Sequence, residues 1–263
     1  LRSLVQLLAL SLILQMVLGV GAGAALVLAV AAVAIYATCG GYQAATQTDV
    51  VQAAILVAGV GLIAAVLIGG DFAQGETGPG FTSLGPYGAE FLIAILILFP
   101  FSTVLSVDNW QRIATSDTPG NARLAYGIAA LVCGLINLTL AYLGHLTEAA
   151  AGTEPEAVLR GLRNVMPMGW GWASDALLLV AVMSSIDTFT MPLVGGLVCQ
   201  RHGVARARAV TLAYFVALGL VALVLGDLLL SVIAAFSSLV VFLPAVAGAL
   251  LAQDRASQAA LWS

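Results

Sequence analysis

Leu92-Ile93-Ala94-Ile95-Leu96-Ile97-Leu98 decides the fold class. Seven apolar side chains follow one another without alternation. A strand of a membrane barrel alternates between lipid-facing and lumen-facing residues, so this stretch does not read as one. It lies inside a longer apolar run, 89–107, close to the ~20 residues that a helix needs to cross a hydrocarbon core. Seven more such runs flank it, at 3–19, 22–37, 49–69, 121–144, 173–198, 207–225 and 228–251. Lipid offers no partner for a bare N–H or C=O, so every run is expected to be helical. The whole composition agrees. Of 263 residues, 61% are hydrophobic and 8% charged, against roughly 25% charge in soluble domains. That excludes a disordered chain, a disulfide scaffold and nearly all soluble enzymes. What remains is an all-α polytopic membrane protein of about eight transmembrane helices, read as a single transmembrane domain over residues 1–263.

The punctuation between the first two runs is only Gly21 and Gly23, and one continuous helix there would be too long to span simply. The net charge of −4 says little by itself, but the placement of charge is informative. All nine basic residues are arginine. If each run spans once, Arg2, Arg112, Arg123, Arg201, Arg206, Arg208 and Arg255 share one side, and Arg160 and Arg163 take the other. The positive-inside rule then puts both ends in the cytoplasm, in a plasma (bacterial inner) membrane. The Gly-rich acidic loop 71–88 falls outside. So does the loop 145–172, where Glu154-Pro155-Glu156 begins a short surface helix. Cys39, Cys133 and Cys199 are too scattered for a framework or a metal centre and read as buried small hydrophobes.

Ionisable groups within spans are costly, so each is a functional candidate. Asp187 lies deep in the sixth run, in Ala181-Val182-Met183-Ser184-Ser185-Ile186-Asp187-Thr188. At about 100° per residue, positions 181, 184, 185 and 188 share a helix face with Asp187 on its flank. Hydroxyl and carboxylate oxygens are hard ligands suited to small cations. The competing reading is polar glue between helices. Asp49 opens the third run after Thr48 and reads equally well as a helix N-cap. Pro100, in Phe99-Pro100-Phe101-Ser102-Thr103, breaks the fourth run. Carbonyls freed there, beside Ser102 and Thr103, could contact a solute, or the proline could be a packing kink.

Three segments resemble the sodium:solute symporter family. Tyr36…Gly40-Gly41…Thr48-Asp49…Gln52 is similar to its Gly-Gly…Thr-Asp…Gln signature, Asp108-Asn109-Trp110-Gln111-Arg112 to its Gln-Arg motif, and Met183-Ser184-Ser185-Ile186-Asp187-Thr188 to its eighth-helix sodium motif. The resemblance covers about residues 10–200. It implies the leucine-transporter-type fold, five plus five helices in inverted repeat, with the eight runs as core helices three to ten. The first two core helices are then missing, and a chain that begins with Leu1 is expected to be a fragment or a truncated product. The resemblance further implies a conserved sodium site at Ala181 (carbonyl), Ser184 and Ser185. A second sodium, nearer the cytoplasm, would lie at Asp49, Ser184, Asp187 and Thr188. Phe101, Ser102 and Thr103 are the solute-pocket candidates.

The function so implied is sodium-coupled symport of a small polar solute, with sodium as coupling ion, the lipid bilayer as surroundings, and no other cofactor and no nucleic acid. Sugar-transporting members place a lysine near Cys133 and a tyrosine near Ser102, and this chain lacks both. Amino acids, organic acids or ureides are therefore expected ahead of sugars. A membrane sensor module derived from the same family is the alternative. An intramembrane aspartyl enzyme is disfavoured, because Asp227 falls at the outer turn, far in depth from Asp187.

Overall fold

The computed structural model describes residues 2–69, 102–114, 116–151, 161–164, 169–197, 204–226 and 228–241, with isolated positions at 89, 90, 93, 96, 97, 166, 246 and 248. Among the described residues the regular elements are all helical: α1 (Arg2–Leu18), α2 (Ala22–Gly69), α3 (Val107–Ala114), α4 (Pro119–Ala151), α5 (Gly171–Leu197), α6 (Val204–Leu225) and α7 (Leu228–Val240). Five segments are long and apolar enough to cross a membrane: Ala22–Cys39, Gln47–Gly69, Pro119–Leu143, Gly171–Thr190 and Val204–Leu225. This is a multi-pass membrane protein. Its surface agrees. On α4, Leu124, Ile128, Leu131, Leu135 and Leu138 form one exposed stripe, which water would not tolerate and lipid welcomes.

Elements and expected runs differ in three places. The break after the first run falls at Gly19, ahead of Gly21. Gly19 takes φ +66°, and its N–H donates to the Gln15 carbonyl at 2.9 Å. That is the left-handed closure of a helix end, open to glycine at little cost. The second and third runs belong to one hydrogen-bonded element, α2, of 48 residues. A straight helix of that length would measure about 72 Å, more than twice a hydrocarbon core. It is not straight. The Tyr36 hydroxyl lies 2.5 Å from Thr48 Oγ1. The intervening twelve residues of straight helix would rise about 18 Å, a gap the two side chains cannot close. The axis therefore folds sharply between them, where Gly40-Gly41 fall, and α2 forms two legs. Finally, the fourth run lies largely outside the described residues, and the eighth is described as helix only to Val240.

The core forms where α5 meets both legs of α2. Leu4, Leu7, Leu10 and Ile13 of α1 recur at helical spacing and pack with Leu26, Ala29, Val33 and Ala37 of the first leg. Val182 and Ile186 of α5 and Phe215, Leu218 and Ala222 of α6 complete this cluster. A second cluster joins Val60, Ile63 and Leu67 of the other leg to Leu143, Leu162, Met166 and Leu177. Lipid tails are as apolar as these side chains, so close packing rather than burial from water drives association here. Gly219 of α6 and Gly59 of α2 allow it. A Cβ on Gly219 would stand 2.8 Å from Val30 Cγ2, and one on Gly59 would collide with the Leu177 side chain.

Cys39 and Cys133 are exposed, not buried as expected. Apolar spans in a membrane may turn any small hydrophobe toward lipid, so an apolar neighbourhood in sequence does not imply burial in protein. Cys199 lies outside the described residues.

Candidate cation site

Asp49 sits on the second leg of α2, with helical residues on both sides of it. The N-cap reading therefore fails: its carboxylate is not needed to close a helix start. It turns instead toward α5, where Ser184 Oγ donates to Asp49 Oδ1 at 3.2 Å. The other oxygen, Oδ2, lies 3.5 Å from Arg112 Nη2 of α3. The same Nη2 donates to Thr188 Oγ1 at 3.1 Å. One positively charged nitrogen is thus bracketed by a carboxylate oxygen from α2 and a hydroxyl oxygen from α5. Asp49, Ser184 and Thr188 are all half-buried, and Arg112 is exposed.

Three of the six residues expected to hold sodium therefore meet: Asp49, Ser184 and Thr188. Two more, Ala181 and Ser185, meet each other. Ser185 Oγ donates to the Ala181 carbonyl at 2.9 Å, one helical turn back. Such back-bonding satisfies a hydroxyl within its own helix. Two oxygens this close can also share one cation as ligands. The side chain of Asp187 lies outside the described residues. Of the solute-pocket candidates, Phe101 lies outside them too. Ser102 is buried and Thr103 exposed. The Ser102 carbonyl accepts from Arg2 Nη2 at 3.1 Å, and the Thr103 carbonyl accepts from Asn109 Nδ2 at 2.8 Å.

Arg112 is the residue the sequence reading missed as a site member. It served there to orient the chain and as the end of the Gln-Arg motif, with no ligand role attached to it. Its placement follows from how α3 is anchored. Trp110 Nε1 donates to the Val104 carbonyl at 2.7 Å, and the Tyr126 hydroxyl of α4 donates to the Asn109 carbonyl at 3.0 Å. These bonds hold the short helix where Arg112 reaches Asp49 of α2 and Thr188 of α5. Arg2 makes a parallel contact: its guanidinium lies 5.2 Å from the Phe189 ring centroid and donates to Ser106 Oγ at 2.6 Å. Two arginines from different elements thus grip adjacent residues of α5, Thr188 and Phe189.

Depth follows from the aromatic residues. Trp170 and Trp172 stack, with centroids 6.1 Å apart, at the start of α5. Tryptophans gather at the two faces of a bilayer. The sixteen residues from Trp172 to Thr188 rise about 24 Å, against a core of about 30 Å. Thr188, with Arg112 against it, therefore lies toward one end of the apolar segment Gly171–Thr190. At the opposite end, Arg163 grips Asp175 in a two-pronged ion pair, Nε–Oδ1 2.7 Å and Nη2–Oδ2 2.8 Å. The hydrogen bond to that carboxylate raises the Arg163 pKa further above its already basic value.

No protein-family model, no curated protein and no solved structure matches this chain.

Proposed function

We propose that the protein is a secondary active transporter of the sodium:solute symporter kind, coupling sodium entry to uptake of a small polar solute. The observation that carries this reading is the meeting of Asp49 on α2 with Ser184 and Thr188 on α5, where one cationic nitrogen lies between the Asp49 carboxylate and the Thr188 hydroxyl. Oxygen ligands from two different elements are what a coupling ion needs. A bound ion then bridges α2 and α5. Ala181 and Ser185, one turn further along α5, supply the oxygens of a conserved sodium site. Eight spans in a leucine-transporter-type inverted repeat, with both ends cytoplasmic in a bacterial inner membrane, form the architecture of this proposal. The arginine cluster then lies on the cytoplasmic face, where the ion is released. Amino acids, small organic acids or ureides are the proposed solutes, taken up past Phe101, Ser102 and Thr103.

The test uses the full-length protein in proteoliposomes. Binding of radiolabelled sodium is measured directly, and uptake of labelled amino acids, monocarboxylates and ureides is compared in sodium and in choline. Sodium should bind and drive uptake of one of these classes, and Asp49→Asn and Ser184→Ala should each weaken both. Binding and uptake indifferent to sodium and to both substitutions would reject the assignment.

A further inference from the structure

We propose that Arg112 is a tethered cation that competes with the coupling ion for Asp49 and Thr188, and so latches α3 over the site whenever the ion is absent. The inference rests on the cation-site reading above. Its ground is the position of one atom. Arg112 Nη2 lies 3.1 Å from Thr188 Oγ1 and 3.5 Å from Asp49 Oδ2, and Ser184 Oγ lies 3.2 Å from the other carboxylate oxygen. A small cation that takes the same oxygens cannot share them with a guanidinium nitrogen. Two positive charges on one carboxylate repel, so one must leave.

Arg112 is able to leave. Its side chain is 54% exposed, against 24% for Asp49, so the guanidinium can swing into water without a large desolvation penalty. Its helix is able to follow. α3 has eight residues, too few to be stable alone. It is held by Trp110 to the Val104 carbonyl and by Asn109 to the Thr103 carbonyl, both within the same short segment. The Tyr126 hydroxyl ties it to α4. Among the described residues, Arg112 links α3 to Asp49 of α2 by charge and to Thr188 of α5 by a hydrogen bond. Replacing that link with a free ion releases α3 from both helices while leaving Asp49 neutralised. The site thus carries one positive charge in either state, and α3 moves between them.

The expected size follows from competition. A latch closed about nine-tenths of the time lowers apparent ion affinity by a factor of about ten. Arg112→Gln in the full-length protein should therefore tighten binding of radiolabelled sodium about tenfold. Arg112→Lys, which keeps the positive charge, should tighten it less. Hydrogen–deuterium exchange supplies a second readout that simple charge repulsion would not move. In the native protein, sodium should speed exchange of amides in Val107–Ala114. In Arg112→Gln, exchange there should be fast with or without sodium. Sodium binding that Asp49→Asn abolishes but Arg112→Gln leaves unchanged or weakens would overturn the latch and keep the ion site. So would exchange of α3 that ignores sodium in the native protein, a measurement that needs no variant. Absence of sodium binding to the native protein would overturn the ion site, and the latch with it.

Discussion

Gly219→Ala puts one methyl group into the closest approach between α6 and the first leg of α2. The added Cβ would stand 2.8 Å from Val30 Cγ2, whereas carbon atoms rest at about 3.5–4.0 Å. The two helices must therefore separate by about 1 Å, or Val30 must turn. It cannot turn cheaply, because a β-branched side chain in a helix has one strongly preferred rotamer. Overpacking of this kind costs about 1–3 kcal/mol. Alanine recovers about 1 kcal/mol of helix propensity over glycine. The net loss should be about 1 kcal/mol, small enough that the single variant does not decide the matter. The sign does. With Val30→Ala as background the obstacle is gone, the propensity gain stands alone, and the same Gly219→Ala change should stabilise by about 1 kcal/mol. The cycle then yields a coupling of about 2 kcal/mol, within the range found for residues in contact. Unfolding in mixed micelles, titrated with a denaturing detergent, measures all four species. Equal effects of Gly219→Ala in both backgrounds would show that the helices are not this close and would refute the packing of α6 on α2.

Two further outcomes follow from hydrogen bonds that tie distant parts together. Tyr36→Phe removes the bond to Thr48 Oγ1 across the fold in α2 and should cost about 1 kcal/mol. Thr48→Val should cost a similar amount, and the double variant less than the sum of the two single changes, in the same unfolding titration. Asp175→Asn breaks the two-pronged pair with Arg163, which is about one-third exposed. It should cost about 1 kcal/mol and speed proteolysis between α4 and α5. Because the pair raises the Arg163 pKa, the arginine's contribution is complete below its unfolded pKa and fades only as pH rises through the higher folded value. The difference between native and Asp175→Asn proteins, on the arginine's account, should therefore be constant from about pH 6 to pH 9.

Helices and their apolar spans were legible in the sequence because lipid leaves the backbone no alternative and because helix-long apolar runs are rare in soluble chains. Their joins were less so. Gly19, Gly21 and Gly23 look alike as letters, and only the positive φ of Gly19 selects it as the end of α1. The fold in α2 falls between two runs, 22–37 and 49–69, that were expected as separate helices. The hydrogen-bond ladder continues through it instead. Within the site, Asp49, Ser184 and Thr188 stood out because charge and hydroxyls are conspicuous in apolar spans. Arg112 stood out only as part of the Gln-Arg motif, with no site role attached, since an arginine in a loop between spans is ordinary. Its role comes from three bonds of α3 to the 103–104 carbonyls and to Tyr126, and nothing in spacing along the chain announces them. Ser184 and Ser185 were equivalent as letters too. The structure separates them, one facing Asp49 and the other its own helix.

Gln52 supplies the last test of what this end of the bundle is for. It lies three residues past Asp49, on the same face of α2. Among the described residues its Oε1 is buried and finds no hydrogen-bond partner. A buried acceptor left unmatched costs about 1–3 kcal/mol, and such atoms are rare enough that each calls for a reason. If the residue serves only packing, Gln52→Met, of similar length and volume, should stabilise the protein by about 1 kcal/mol, and equally with and without sodium. If Oε1 is a ligand kept ready for the coupling ion, the same variant should still be more stable in sodium-free buffer. It should then lose most of the stabilisation that sodium confers on the native protein, which grows with ion concentration over the dissociation constant. Thermal unfolding in detergent at rising sodium concentration separates the two. A variant less stable than the native protein in both conditions, by the same amount, would refute both readings and show that the Gln52 amide contributes to the fold through its own hydrogen bonds.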